Sequence, residues 1–141
     1  MHLERLIGNT PMVQISDKIY AKLETYNPSG SIKDRMAYYI IKKAFARGEL
    51  KQGDTIVEAT SGNTGIAMSM IGAALGHPVI IIMPRNMSNE RKCMMRAYGA
   101  QIIEVGDNEF KDAIALRDEM CANNALYFNP RQFSNPDNIE C

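Results

Sequence analysis

The sequence predicts an α/β protein built on a parallel, twisted sheet with helices on both faces. From residue 55 onward the chain alternates between a strand-like and a helix-like hydrophobic period. The run Val79-Ile80-Ile81-Ile82-Met83 is short, unbroken and apolar, which suits a strand covered on both faces, the mark of a parallel sheet. The order strand, helix, strand, helix, strand, helix, strand then requires repeated right-handed crossovers, which lay helices against a sheet.

The elements follow in order. Met12 to Ile15 and Tyr20 to Glu24 read as two short strands, separated by Ser16-Asp17-Lys18-Ile19. A long helix is expected from Ser31 to Leu50, with two adjacent apolar rows, Met36, Ile40, Ala44 and Ala37, Ile41, Phe45, each stepping by four. Gly48 and Gly53 end it. Thr55 to Thr60 reads as a strand and Thr64 to Leu75 as a helix. That helix is rich in small residues (Gly65, Ala67, Ser69, Gly72, Ala73, Ala74), which permit close packing on a sheet. Pro84 ends the strand that follows. A helix from Asn89 to Tyr98 has Ser88 as its N-cap, and Gln101 to Val105 is the next strand. Phe110, Ala113, Ile114, Met120 and Cys121 trace one face of another helix, and Ala125 to Phe128 closes the series. The tail after Asn129 is polar and turn-rich. The sequence holds no repeat, low-complexity tract or linker.

With 141 residues, 45% of them hydrophobic, the chain can bury one ordinary core, and one domain is expected. Sixteen basic residues balance sixteen acidic ones, so there is no electrostatic footprint for nucleic acid or an anionic membrane. No window approaches the run of about eighteen apolar residues that a membrane span needs. The start, Met1-His2-Leu3-Glu4-Arg5, is not a signal segment. Cys93, Cys121 and Cys141 are far apart and form no Cys-x-x-Cys pair, and the isolated His2 and His77 leave too few ligands for zinc. Cys93 and Cys121 fall in helical patterns and read as buried structural thiols. A reducing cytoplasm fits this usage.

The first segment with chemistry in it is Asn27-Pro28-Ser29-Gly30-Ser31-Ile32-Lys33-Asp34-Arg35. Its Pro, Ser and Gly make a tight turn, and Ser31 can cap the helix that follows. Lys33 then sits in the first turn, where the positive end of the helix dipole disfavours an ammonium ion. Nearby positive charge and partial burial would lower its pKa and free the amine as a nucleophile toward an aldehyde. Taken alone, a lysine near a helix start is more often a solvated charge, and Asp34 and Arg35 read as ordinary surface residues.

The second segment is Glu58-Ala59-Thr60-Ser61-Gly62-Asn63-Thr64-Gly65, which follows a strand and opens a helix. Its glycines let the backbone approach a ligand, and amides at a helix start point outward to form an anion site. Thr60, Ser61 and Thr64 add hydroxyl donors, and Asn63 an amide that can meet an aromatic oxygen. Neither a Walker motif nor Gly-x-Gly-x-x-Gly is present. Taken alone, the loop serves equally as a polar βα turn with a capping threonine.

Together these segments resemble a known family. Leu6-Ile7-Gly8-Asn9-Thr10-Pro11, then Asn27 to Arg35, then Thr60 to Gly65 are similar to the start of the cysteine synthases (O-acetylserine sulfhydrylases). Met83-Pro84, Met87-Ser88-x-Glu90-Arg91, Met95-Arg96-Ala97-Tyr98-Gly99-Ala100 and Gln132 to Asn138 extend the match nearly to the end, the Met95 to Ala100 stretch leaning toward the B isozyme. The resemblance implies the N-terminal domain of a fold-type II pyridoxal-phosphate enzyme. It implies that Lys33 forms the Schiff base with pyridoxal 5'-phosphate and acts as general base, and that Asn63 bonds the cofactor's ring oxygen. Thr60, Ser61, Gly62, Asn63, Thr64 and Gln132 would hold the amino-acid substrate, most of them at its α-carboxylate. The implied reaction is O-acetyl-L-serine plus sulfide giving L-cysteine and acetate, in a cytoplasmic homodimer.

The sequence departs from the family in three respects. Gly30 and Ile32 are mild changes, and the first two strands have a short connection. The larger departure is that the sequence stops at Cys141, before the family's phosphate cup and the serine facing the pyridine nitrogen. Residues 1–34 are therefore expected to pair with an absent C-terminal domain, on the same or a separate chain, and 35–141 to form the small mobile domain. Two alternatives share these motifs: a cystathionine β-synthase type of replacement, disfavoured by the lack of a haem-binding extension, and a stand-alone binding domain that does no chemistry.

Overall fold

A computed structural model describes residues 3–141 of the chain. Met1 and His2, the latter weighed above as a zinc ligand, lie outside the described residues. Four strands, β3 (Thr55–Ala59), β4 (Val79–Pro84), β5 (Gln101–Val105) and β6 (Tyr127–Phe128), form one sheet in the order β5-β4-β3-β6, every pair parallel. The three crossovers are α2 (Asn63–Leu75), α3 (Asn89–Ala97) and α4 (Phe110–Asn123).

Two apolar layers cover the sheet, as its unbroken hydrophobic strands require. On one face Ile56, Val79, Ile81 and Met83 pack with α2, with Met95 of α3, and with α1 (Lys33–Ala46) behind them. On the other, Val57, Ala59, Ile80 and Ile82 pack against α4 through Ala113. Helices thus lie on both faces, as expected. The small residues of α2 have definite neighbours: a Cβ at Gly65 would stand 2.7 Å from Met95 Cε, and one at Gly72 would strike Val79 Cγ2. Ala73 and Ala74 of the same stripe are exposed.

The long helix is shorter than predicted. It begins at Lys33 and ends at Ala46, because Gly48 turns into the left-handed region (φ +72°) and Glu49 N–H closes back on the Ala44 carbonyl at 2.9 Å. Of its two apolar rows, Phe45 alone is not buried. It is 49% exposed, with its ring edge-on to His77, whose Nδ1 lies 3.0 Å from the Asp54 carbonyl. Ser88 occupies the N-cap position of α3, but its side chain makes no cap hydrogen bond. Cys93 is exposed on the outer side of α3 and Cys121 half-buried, so neither is the buried thiol expected.

The N-terminal strands β1 (Met12–Ser16) and β2 (Ile19–Lys22) form a separate antiparallel hairpin. Met12, Ile15, Ile19 and Tyr20 are all exposed on it. The tail has more order than its composition suggests. It ends in α5 (Asp137–Glu140), fastened to α1 where the Arg47 guanidinium grips both oxygens of the buried Asp137 carboxylate at 3.0 and 2.6 Å.

Candidate active site

In a parallel sheet the loops that leave the C-terminal ends of the strands gather at one edge. Here the loop after β3, the start of α4 after β5, and the segment after β6 converge on a cleft of about 450 Å³. Lys33, at the start of α1, faces the same cleft. All seven residues singled out in the sequence line it: Lys33, Thr60, Ser61, Gly62, Asn63, Thr64 and Gln132.

The loop's geometry leaves donors unused. Gly62 is the N-cap of α2 without a side-chain cap bond, and its carbonyl accepts from Gly65 N–H at 3.0 Å. The N–H groups of Ser61, Asn63 and Thr64 have no partner among the described residues, and the first turn carries no acid. Orphan amides at a helix start, with the helix dipole behind them, favour a negatively charged ligand. No acidic side chain lines the cleft, whereas Lys33 and Arg91 both do. The remaining wall is apolar: Phe110, Ala113 and Ile114 on α4, with the exposed Phe133 opposite.

Lys33 is exposed rather than partly buried, and its ammonium makes no ion pair among the described residues. Its backbone N–H donates to Ser31 Oγ at 3.2 Å, but the N-cap position expected for Ser31 falls to Ile32, and no side chain caps the helix. The residues beside it were misread as surface. Asp34 is 0% exposed and accepts from Ser29 N–H at 2.7 Å and from the Ser29 hydroxyl, which fixes the turn before Lys33. Burial pushes the Asp34 carboxyl up, against the pull of these Ser29 bonds. Arg35 forms a fork with Glu24 at 2.9 and 3.0 Å, and the Arg35 guanidinium holds Glu24 down at about 2. Thr10 and Asn27 donate to the same carboxylate, and Asn27 Oδ1 accepts from Gly8 N–H at 2.9 Å. Gly8 must be glycine: its φ is +80° and a Cβ would lie 2.8 Å from the Arg35 guanidinium. The segments Leu6–Pro11 and Asn27–Arg35 are thereby tied together beneath Lys33.

Gln132 is held differently. Its Nε2 donates to the Ala59 carbonyl at 3.3 Å, its backbone N–H donates to Glu58 Oε2 at 3.1 Å, and its carbonyl accepts from Asn138 at 2.8 Å. Glu58 also meets Arg117 of α4 at 2.7 Å. Burial pushes the Glu58 carboxyl up, opposed by the Arg117 guanidinium and two backbone amides. Arg117 loses solvent too, yet Glu58 and Asp118 keep it firmly protonated. The sequence reading missed Glu58, Arg117, Arg91 and Phe110. For the last two a signal existed, since they open α3 and α4 just beyond strand ends.

Comparison with known proteins gives the chain its family. The chain is 42% identical over 147 residues to the cysteine synthase of Staphylococcus aureus (strain Mu50 / ATCC 700699), covering 99% of this chain and 47% of that protein. It is 47% identical over 144 residues to cysteine synthase B of Escherichia coli (strain K12), covering 96% and 47%. Among solved structures, a hydrogen sulfide-producing enzyme from Fusobacterium nucleatum superposes with a TM-score of 0.91 at 51% identity, over 98% of this chain and 44% of that one. The chain thus spans about half the length of the relatives it matches. The family model described as pyridoxal-phosphate dependent enzyme matches residues 3–141, the whole of the described fold with its cleft, and the chain belongs to that family.

Proposed function

We propose that this chain is the lysine-bearing half of an enzyme that makes L-cysteine and acetate from O-acetyl-L-serine and sulfide. The observation that carries the reading is the single cleft in which an unpaired primary amine, a loop of unpaired amides and hydroxyls, and the Gln132 amide converge with no acid among them. The residues fit pyridoxal phosphate in part. The Lys33 amine suits its aldehyde, Asn63 its ring oxygen, and the Phe110 and Ile114 wall an aromatic ring. Its phosphate, a dianion, needs several convergent donors, and the amides of α2 are assigned to the substrate. A C-terminal half, on the same or a separate chain, would hold it.

The bound cofactor supplies the electron sink for the reaction. The protein's part is binding, orientation and proton transfer. The hydroxyls of Thr60, Ser61 and Thr64 and the free amides of the loop hold the substrate α-carboxylate, with Gln132 offering its second amide hydrogen. This fixes the substrate Cα over Lys33, whose free amine takes the α-proton as general base. Residues 1–34 pair with the C-terminal half, to which the exposed hairpin offers its unpaired edges, and 35–141 close over the substrate. The assembled enzyme is a cytoplasmic homodimer in this reading.

The test is to assemble the chain with a C-terminal half, load the cofactor, reduce with borohydride and map the peptide. Lys33 should carry the label, and cysteine should form from O-acetylserine and sulfide. A label on Lys22, Lys42 or Lys43 refutes the assignment. The chain alone should neither bind the cofactor tightly nor turn over, and a soluble active monomer would overturn the placement of the phosphate. The 51% identity to a hydrogen sulfide-producing enzyme favours one second reading, in which the same site takes L-cysteine and releases sulfide. Sulfide evolution from cysteine outpacing cysteine synthesis would decide for it.

A further inference from the structure

We propose that Glu58 is a positioning residue that sets Gln132 against the substrate loop, a role that rests on the reading of Gln132 as a substrate ligand. Glu58 is 0% exposed and lies in β3 among Ile56, Val57 and Ala59, all buried. A strand so placed in a parallel sheet is ordinarily apolar throughout. A carboxylate there is costly to desolvate, and a buried ion pair generally stabilises no better than apolar residues of the same shape. Stability alone therefore does not account for it.

Its bonds account for it better. Oε1 accepts from Arg117 at 2.7 Å and from Ala59 N–H at 2.8 Å, while Oε2 accepts from Gln132 N–H at 3.1 Å. One carboxylate thereby joins the three pieces of the cleft. β3 leads straight into Thr60, Arg117 sits one helical turn beyond Ala113 on the α4 wall, and Gln132 comes from the segment after β6. The Gln132 side chain then reaches only to the neighbouring Ala59 carbonyl. Without Glu58 the Gln132 backbone N–H loses its partner, and among the described residues no other group accepts from it. Arg117 is fixed in turn by Asp118, which also accepts from Asn129 at the start of the same segment.

The experiment uses the cofactor-loaded, two-half enzyme and L-alanine, which has the amine and carboxylate of a substrate but no leaving group. Its dissociation constant is measured for Glu58→Gln, Gln132→Ala and the double variant, with cofactor absorbance and thermal unfolding as controls. Each single change should weaken alanine binding about tenfold, the loss of one hydrogen bond to a charged group. The double variant should be no weaker than Gln132→Ala, because residues that act through one another are not additive. An unchanged constant for Glu58→Gln beside a weakened Gln132→Ala overturns the inference alone, as does a double variant about a hundredfold weaker. If Gln132→Ala and Thr64→Ala both bind alanine normally, the assignment of the whole site falls, and this inference with it. Should Glu58→Gln fail to fold, hydrogen exchange on the unaltered enzyme decides: the Gln132 amide should exchange far more slowly than an open loop, though sooner than those of Ile56 and Val57. Exchange at the rate of an open loop overturns the proposal.

Discussion

Arg117→Met tests the energetic side of the buried pair. The change keeps much of the side-chain volume on α4 but leaves a fully buried carboxylate facing only the amides of Ala59 and Gln132. Breaking a buried pair by removing one partner costs about 3–5 kcal/mol. The two remaining charged hydrogen bonds place this case near the lower end, at about 3 kcal/mol. The pH dependence fixes the cause. Burial raises Glu58 above its ordinary 4.5, and in the variant no guanidinium opposes it. An acid whose folded value lies above its unfolded one carries no penalty while both states are protonated; the penalty grows as pH rises through the folded value. The stability gap between the variant and the unaltered protein should therefore widen from pH 5 to pH 8. Urea unfolding of the assembled protein at both pH values measures it. A gap below about 1 kcal/mol at pH 8, or one that is equal at both, would refute the reasoning. Adding Glu58→Gln to Arg117→Met should recover part of the loss, since no unpaired charge then remains.

Thr64→Ala should weaken amino-acid binding by about 1.5–3 kcal/mol while leaving the cofactor attached, and an unaltered dissociation constant would end its assignment to the carboxylate. Glu24 is held near 2 by Arg35, Asn27 and Thr10, below its ordinary 4.5. Its contribution is complete above that ordinary value and is lost as pH falls from 4.5 toward 2, so Glu24→Gln should flatten the acid limb of the stability curve over that window. Gly72→Ala gains about 1 kcal/mol of helix propensity but drives a Cβ into Val79 Cγ2 and to 3.2 Å from the His77 carbonyl. Overpacking of this kind costs about 1–3 kcal/mol, so the melting temperature should fall; a rise would show that β4 gives way.

Local patterns made most of the sheet legible. Unbroken apolar runs and the 3.6-residue rows of α1 are features of neighbouring residues, and they placed β5 to the residue and the other main strands to within a residue or two. The cleft was legible because its donors sit in two contiguous motifs. Glu58 and Arg117 stand 59 residues apart and follow no period, so nothing in the sequence announces their pairing. Asp34 looked like a surface charge because its partner, Ser29, becomes visible only once the turn is folded. Phe45 and Cys93 were misjudged for a related reason: an apolar side chain on a helix does not reveal whether its face meets a neighbour. Ser88 had the right residue type for a cap, but its hydroxyl does not reach the helix amides.

The position of β6 has a consequence for how the cleft comes into being. It joins the sheet beside β3, its partner Thr55 lying 72 residues before Tyr127 (127 − 55), and it holds on through only two residue pairs. Such distant contacts form late in folding. The three-stranded sheet β5-β4-β3, with the Thr60–Thr64 loop already at its edge, can therefore exist before Gln132 arrives. Competence to bind an amino acid would then be acquired in the last step, when Glu58 receives both Arg117 and the Gln132 amide. In hydrogen exchange β6 and the segment after it should open at lower free energy than β3 and β4, and opening should empty the site while the core persists.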